Sequence, residues 1–339
     1  MDRISLGNEE FEGRNNAYVL ADEDDGIALV DTGVATPDCR VQLREELAER
    51  GYEFADVDDI VLTHHHPDHA GLAGEIQAES DATVYVHEAD APLVEADPDA
   101  VTSLEELRRE SLSEWGVPAD AREELLAFLE ATSGVDGEPV DATPIEDGDV
   151  VAVGGRTLEA VHAPGHTAGL CCFEIGGASE TRSGSDDAAH AGTEAFVGDA
   201  ILPVYTPNVG GADIRVERPL ETYLASLRTI VDRGYARLWP GHRDPIDDPA
   251  ARALTIRDHH RERTENVLEV LTEHGPADAW TVSDHLFGDL EGIHILHGPG
   301  EAYAHLDHLR HEDVVTLEDG EYHLIDPDAD IGEIVSSSH

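Results

Sequence analysis

The sequence predicts an α/β protein: a main domain over residues 1–250, followed by a winged-helix domain over residues 251–339. Three observations predict it. Through the front two-thirds, short apolar strand-like runs alternate with helical periodicity. Turns carrying His or Asp recur just past several of those strands. Beyond residue 250 the style changes to three helices and a two-stranded hairpin. At 339 residues, 40% of them apolar, the chain can build a large cored domain and an appendage.

The elements follow in order. Residues 18–20 and Gly26–Val30 read as a hairpin around the acidic turn at 22–25. Residues 37–50 form an amphipathic helix with Val41, Leu43 and Leu47 as its inward stripe. Residues 59–63 are an apolar strand, followed by a His-rich loop and a helix over 72–78. Another strand occupies 82–87, and 104–115 and 122–131 are helical. Val150–Val153 and 157–161 form a hairpin around Gly154-Gly155, and strands return at 170–175 and 195–197. Between these last two, residues 176–194 are mostly Gly, Ala, Ser and Thr. They bury too little apolar area to offset their ordering entropy, so a flexible surface insertion is expected, with His190 a solvated loop residue. Pro219–Arg233 is a helix and 237–239 the last strand of the domain. In the tail, a helix runs to about His274, a second covers 282–287 with Thr281 as N-cap and Asp284 at the third position, and a third covers 301–310. Strands at 314–317 and 322–325 flank Glu318-Asp319-Gly320.

Composition narrows the function classes. All 21 basic residues are Arg, against 74 acidic ones, for a net charge of −53. Such a chain repels nucleic acid and anionic lipid in dilute salt. The acidic excess is spread along the whole length, as expected of a protein from a halophile, where concentrated salt screens self-repulsion. Cys39, Cys171 and Cys172 contain no C-x-x-C pair and cannot make a disulfide framework. Adjacent Cys171 and Cys172 on a strand point to opposite faces, into core. The start lacks a signal-sequence pattern and no apolar run approaches the ~20 residues of a membrane span, so a cytoplasmic protein without membrane partners is expected.

The chemistry concentrates in Thr63-His64-His65-His66-Pro67-Asp68-His69. Imidazoles suit zinc, and a carboxylate beside them completes the donor set. A short loop at a strand end directs alternate residues differently, so one metal takes His64 and His66 while a second takes Asp68 and His69. Three further strand ends add partners: His166 in Pro164-Gly165-His166-Thr167, Asp199 after Gly198, and His242 in Pro240-Gly241-His242. They complete one set (His64, His66, His166), a second (Asp68, His69, His242), and a carboxylate, Asp199, between them. Asp31 has two readings, a carboxylate orienting a ligating His ring or a turn residue capping backbone N–H groups. His65 is a spacer, His162 supports its loop, and His305 and His308 lack a matching ligand set. Tyr205, Asn208 and Arg215 are placed to line the substrate mouth.

The ordered motifs H-x-H-x-D-H, P-G-H-T, G-D and P-G-H, with Asp31-Thr32-Gly33 after an early strand, resemble the metallo-β-lactamase fold superfamily over roughly residues 13–245. The resemblance implies an αββα sandwich with two metals at one edge, most simply two Zn²⁺, with Fe or Mn as the other metals in use. The tail resembles the winged-helix appendage of a branch that includes mitochondrial endoribonucleases called lactamase-like proteins. Asp199 stands where the best-known zinc β-lactamases have Cys, which disfavours antibiotic hydrolysis. His66 stands where flavodiiron oxygen reductases use Glu. Arg243 replaces the Gly common after the last His, and Arg is a natural carboxylate or phosphate clamp.

The expected function is metal-dependent hydrolysis of a small-molecule ester, thioester or lactone by a metal-bridging hydroxide, with Asp68 as both ligand and proton acceptor. Thioesters fit glyoxalase II-like members of the family. A single-strand-specific endoribonuclease is the second reading, opposed by a tail with 5 Arg against 20 acidic residues. A non-catalytic winged-helix regulator is the third, and its helix at 301–310, with Glu301, Asp307 and one Arg, is poor chemistry for reading base edges. The tail is expected to shape the active-site entrance or a homodimer contact.

Overall fold

The computed structural model describes residues 1–7, 13–22, 25–176 and 192–337. A first sheet opens with the antiparallel strands β1 (Asp2–Leu6), β2 (Asn15–Asp22) and β3 (Gly26–Val30). α1 (Pro37–Glu49) crosses to β4 (Asp59–Val61), and α2 (Pro67–Ala70) with α3 (Ala73–Ser80) leads to β5 (Thr83–His87). α4 (Ala91–Val94), α5 (Pro98–Glu114) and α6 (Ala119–Thr132) precede β6 (Ala142–Ile145). β3 to β6 are mutually parallel, and the order is β1-β2-β3-β4-β5-β6. The second sheet comprises β7 (Val150–Val153), β8 (Arg156–His162), β9 (Cys171–Gly176) and β10 (Glu194–Gly198). After α7 (Pro219–Arg233) it ends with β11 (Arg237–Pro240), in the order β11-β10-β9-β8-β7.

Side-chain alternation explains the layering. Along β2, Tyr18 and Leu20 face Leu158, Phe173 and Phe196 of the second sheet. Ala17 and Val19 face the other way, onto Cys39, Leu43 and Leu47 of α1. β9 behaves likewise: Cys171 enters the inter-sheet core, while Cys172 packs with Leu220, Leu224 and Leu227 of α7. All three cysteines are free and buried. The result is helix, sheet, sheet, helix.

Several expectations need correction. The α1 stripe is Cys39, Leu43 and Leu47; Val41 is 54% exposed, because a spacing of two residues turns it off the buried face. β1 and β6 are absent from the sequence reading. Both are edge strands, and β6 contains Pro144, which is tolerated only where no neighbouring strand needs its missing N–H. α5 starts six residues earlier than expected, because Asp97 caps it by accepting from the Asp99 and Ala100 backbone N–H groups, with Pro98 at the first turn. The insertion expected at 176–194, with His190, falls largely on residues 177–191, outside the described residues.

The C-terminal segment comprises α8 (Pro249–His274), α9 (Ala279–Phe287), α10 (His294–His311), an antiparallel pair β12 (Val315–Glu318) and β13 (Glu321–Leu324), and α11 (Ile331–Ser337). Asp278, not Thr281, caps α9, accepting from the Thr281 N–H. α10 begins seven residues before the expected Glu301 and carries Pro299 inside it. Ile256, Val267, Ile295, Leu306 and Leu309 of this segment join the same core cluster as Val197 and Leu238 of the second sheet. No helix among the described residues is long and apolar enough to cross a membrane.

Candidate metal centre

The ends of five strands deliver the site. β3 leads into Asp31, β4 into His64–His69, β8 into the His166 turn, β10 into Asp199 and β11 into His242. A helix break makes the first loop work: His66 has extended backbone as N-cap of α2, and Pro67 opens the helix, so Asp68 and His69 turn away from His64 and His66. Gly241 is required by close packing, because a Cβ there would stand 2.4 Å from Asp199 Oδ1 and 2.4 Å from His69 Cε1.

The structure brings together all seven residues singled out as ligands. His64, His66 and His166 form one cluster of converging donor atoms, Asp68, His69 and His242 another, and Asp199 joins His64 and His69 in a third that overlaps both. His64 Nε2 and His166 Nε2 each lie 3.1 Å from His66 Nδ1. His242 Nε2 lies 3.4 Å from Asp68 Oδ2 and 3.3 Å from Asp199 Oδ2, and His69 Nε2 is 3.5 Å from Asp199 Oδ1.

Each ring is aimed by the nitrogen it turns outward. His69 Nδ1 donates to Asp31 Oδ2 at 2.9 Å. The same carboxylate accepts from the Thr63 N–H at 2.8 Å and the Thr63 hydroxyl at 2.9 Å, so Asp31 both orients a ring and caps its turn. The Thr63 hydroxyl, its proton given to Asp31, accepts from His64 Nδ1 at 3.0 Å. The backbone carbonyls of Asn208, Ala212 and Arg14 accept from His166 Nδ1, His66 Nε2 and His242 Nδ1 at 3.0, 3.1 and 3.2 Å. The remaining nitrogens therefore face inward, the usual support of metal-binding imidazoles.

The electrostatics suit cations. Burial and neighbouring imidazoles push His64 and His66 down, so both rings are neutral. Burial opposes the charge on Asp68, Asp199, His69 and His242. Even so, His69 and His242 hold both carboxyls below the usual range, and the carboxylates push His69 up and His242 up to about 10. His69 Nε2, His242 Nε2 and Asp199 Oδ1 are buried without a hydrogen-bond partner. Orphaned buried polar atoms are costly, and here they converge with neutral imidazoles and carboxylates, a donor set that fits Zn²⁺ or a similar divalent ion.

Sequence reasoning missed the clamp around this centre. Asp90, fully buried, accepts from the His65 N–H, the Thr167 hydroxyl and the Gly169 N–H, tying the first loop to the His166 loop. Arg215 bridges it to Asp213, with Nη2 at 2.6 Å from each carboxylate, and Asp213 accepts from the Ala168 N–H. Arg215 is thus a structural clamp rather than a mouth residue; His65 belongs to the same cluster, its Nδ1 3.2 Å from Asp90. Tyr205 and Arg243 pack on each other, guanidinium over ring at 4.9 Å, and neither lines the cavity, so Arg243 is not placed as a substrate clamp. Asn208 does line it. His162 stacks on His87 at 4.1 Å and donates from Nε2 to the Ala168 carbonyl, supporting its loop.

Above the centre lies a cavity of about 880 Å³, floored by His66, Asp68, His166 and Asp199 and walled by α5, α6 and the start of α10, including Leu104, Leu112, Phe128 and Leu296. The C-terminal segment thus forms one wall. Gly300 of α10 meets the 208–213 loop so closely that a Cβ would stand 2.4 Å from Gly211 Cα.

Comparison with known proteins agrees with this architecture. The family model for the metallo-beta-lactamase superfamily matches residues 11–242. The chain is 27% identical over 307 residues to the probable metallo-hydrolase YqjP of Bacillus subtilis, covering 86% of this chain and 87% of that protein. A metallo-beta-lactamase family protein of Thermus thermophilus superposes with TM-score 0.78 at 30% identity, over 96% of this chain and 98% of the other. A beta-lactamase domain protein of Burkholderia ambifaria shares the fold, with TM-score 0.72 at 22% identity over 95% and 91% of the two chains.

Proposed function

This chain belongs to the metallo-β-lactamase superfamily, and we propose that its site is a dinuclear, zinc-type hydrolase centre acting on a small-molecule ester, thioester or lactone. The observation that carries this reading is the convergence of two three-donor clusters on Asp199 at the floor of an apolar-walled cavity. Cations held by His64, His66 and His166 and by Asp68, His69 and His242 would supply Lewis acidity, which lowers the pKa of water from 15.7 to about 7. The chain's own groups do the rest. Asp68 lines the cavity, is kept ionised by His69 and His242, and accepts from Asn15 Nδ2 at 3.0 Å, so a charged acceptor is held in a fixed orientation at the cavity floor. The apolar walls exclude bulk water and seat the substrate's body.

We read the tail as a winged-helix appendage that serves as a cavity wall. Its third helix buries most of its length, including Ile295, Leu296, Leu306 and Leu309, and so offers no free face to a groove. That burial and the tail's acidity favour a small molecule over RNA.

The test incubates metal-loaded protein in concentrated KCl with a thioester and lactone panel, a phosphodiester reporter and labelled single-stranded RNA, with and without chelator. Chelator-sensitive cleavage confined to the acyl substrates is expected. His66→Ala abolishes it and lowers bound metal with the melting temperature little changed. Full activity in that variant or in chelated protein overturns the reading, and cleavage of RNA alone transfers it to the nuclease class. Metal analysis of the purified protein decides among zinc, iron and manganese.

A further inference from the structure

The cavity wall, apart from the metal centre, carries charged groups as well as apolar ones, among them Arg108, Arg109, Arg122 and Asp136. Arg108, on α5, is half-buried, its Nε is shielded from solvent with no hydrogen-bond partner, and its guanidinium forms no ion pair among the described residues. Leu104, Leu112, Phe128 and Leu296 share the wall with it. The acidic groups that influence it, Glu105, Asp136 and Asp213, act from beyond hydrogen-bonding distance. Asp213 is committed to Arg215. Arg109 and Arg122 line the same cavity and likewise form no ion pair among the described residues, but of the three it is Arg108 that has a buried nitrogen left without a hydrogen-bond partner. Burial lowers the Arg108 pKa, the direction expected of a cation partly stripped of water. A desolvated charge of this kind is costly until an anion meets it, and a guanidinium is the best partner for an oxyanion.

We propose that Arg108 is the anion-recognition residue of this cavity, which takes an amphipathic anion: an apolar acyl body against α5, α6 and α10, with an oxyanion group on Arg108. The proposal rests on the hydrolase reading for its chemistry, since it places an acyl group beside the metal floor, but not for its binding. The oxyanion has two sources, a carboxylate at the far end of the acyl chain or a phosphate on the leaving group.

Calorimetry on the metal-loaded protein compares octane-1-sulfonate with octan-1-ol, equal in chain length; a sulfonate is a weak ligand for divalent metals and so reports on the cavity wall. Wild type is expected to prefer the sulfonate by about tenfold, the scale of one charge-assisted hydrogen bond. Arg108→Gln binds both alike, Arg108→Lys keeps most of the preference, and Arg156→Gln, an exposed charge at the β7–β8 turn, keeps all of it. Equal binding of the two probes by wild type, or a preference that survives Arg108→Gln, overturns the proposal. Turnover then separates the sources. A lower KM for the adipoyl than for the hexanoyl thioester of N-acetylcysteamine places the anion on the acyl chain, and a lower KM for hexanoyl-coenzyme A places it on the leaving group. A sulfonate preference with no ester, thioester or lactone turned over supports the assignment of Arg108 and overturns the hydrolase reading.

Discussion

Asp90 lies 125 residues from Arg215 in sequence, yet its buried carboxylate joins the two loops that carry His64, His66 and His166. Burial alone would raise its pKa, but His65 and Arg215 hold it well below the usual carboxylate range, and Arg215 and His65 also lower Asp213 against its burial. A carboxyl depressed in the folded state contributes stability that is complete above its unfolded pKa of about 3.9 and is lost as pH falls towards the folded value. Asp90→Asn leaves Arg215 paired with Asp213 alone and takes the charge from the acceptor that the His65, Thr167, Gly169 and Arg215 donors share, a change that costs about 1–3 kcal/mol. Urea unfolding at pH 7 should show that deficit, and the difference from wild type should shrink steadily below pH 4. A deficit that stays constant down to pH 2.5 means that the lost packing, and not the charge pair, is what stabilises the loops.

At the scale of the element, α10 holds the site from outside. Its Gly300 fits against Gly211, in the loop whose Asn208 and Ala212 carbonyls aim His166 and His66. Gly300→Ala drives a Cβ into that backbone, so helix or loop must move. The expected result is a loss of metal affinity of about 10- to 100-fold, the usual effect of disturbing groups that orient ligating rings, with secondary structure unchanged by circular dichroism. Unaltered affinity in competition with a chelating dye would show that the contact is slack. Gly298-Pro299-Gly300 also shows why the sequence places the start of α10 only at residue 301: those residues ordinarily break a helix, and only the tertiary fit to the loop carries the helix through them. The seven donors were legible because each stands within a few residues of a strand end, where turn chemistry alone sets direction. Asp90, Asp213 and Arg215 were not, since their partners come from distant loops and leave no local pattern. Arg108 was hidden in Glu105-Glu106-Leu107-Arg108-Arg109-Glu110, which looks like a solvated helix face, and only the placement of α6 and α10 turns it inward. The edge strands β1 and β6 escaped because a short strand with one neighbour needs little apolar signal.

For the whole molecule, a net charge of −53 acts against compaction everywhere at once. The ion pairs present, such as Arg44 with Glu75 and Glu79 or Arg233 with Glu159 and Glu174, use Arg that are outnumbered more than three to one, so most carboxylates face only one another and water. Salt is then the main available screen. At 0.1 M the Debye length is about 10 Å, long enough for neighbouring surface carboxylates to repel, and at 1 M it is about 3 Å, which removes most of that repulsion. Melting temperature should therefore climb between 0.1 and 2 M KCl, each kcal/mol of relieved repulsion raising it by about 2 °C in a chain of this size. The hydrophobic cores give no reason for a comparable response, because KCl strengthens apolar burial far less than sulfate does. The shape of the response in scanning calorimetry separates the two causes: sucrose, excluded from the surface but unable to screen charge, should raise the melting temperature steadily with concentration, whereas the rise with KCl should be steepest below about 1 M, where the Debye length shortens most. A melting temperature that is flat or falling with KCl would mean that the acidic surface is locally compensated, and that the chain does not depend on concentrated salt to stay folded.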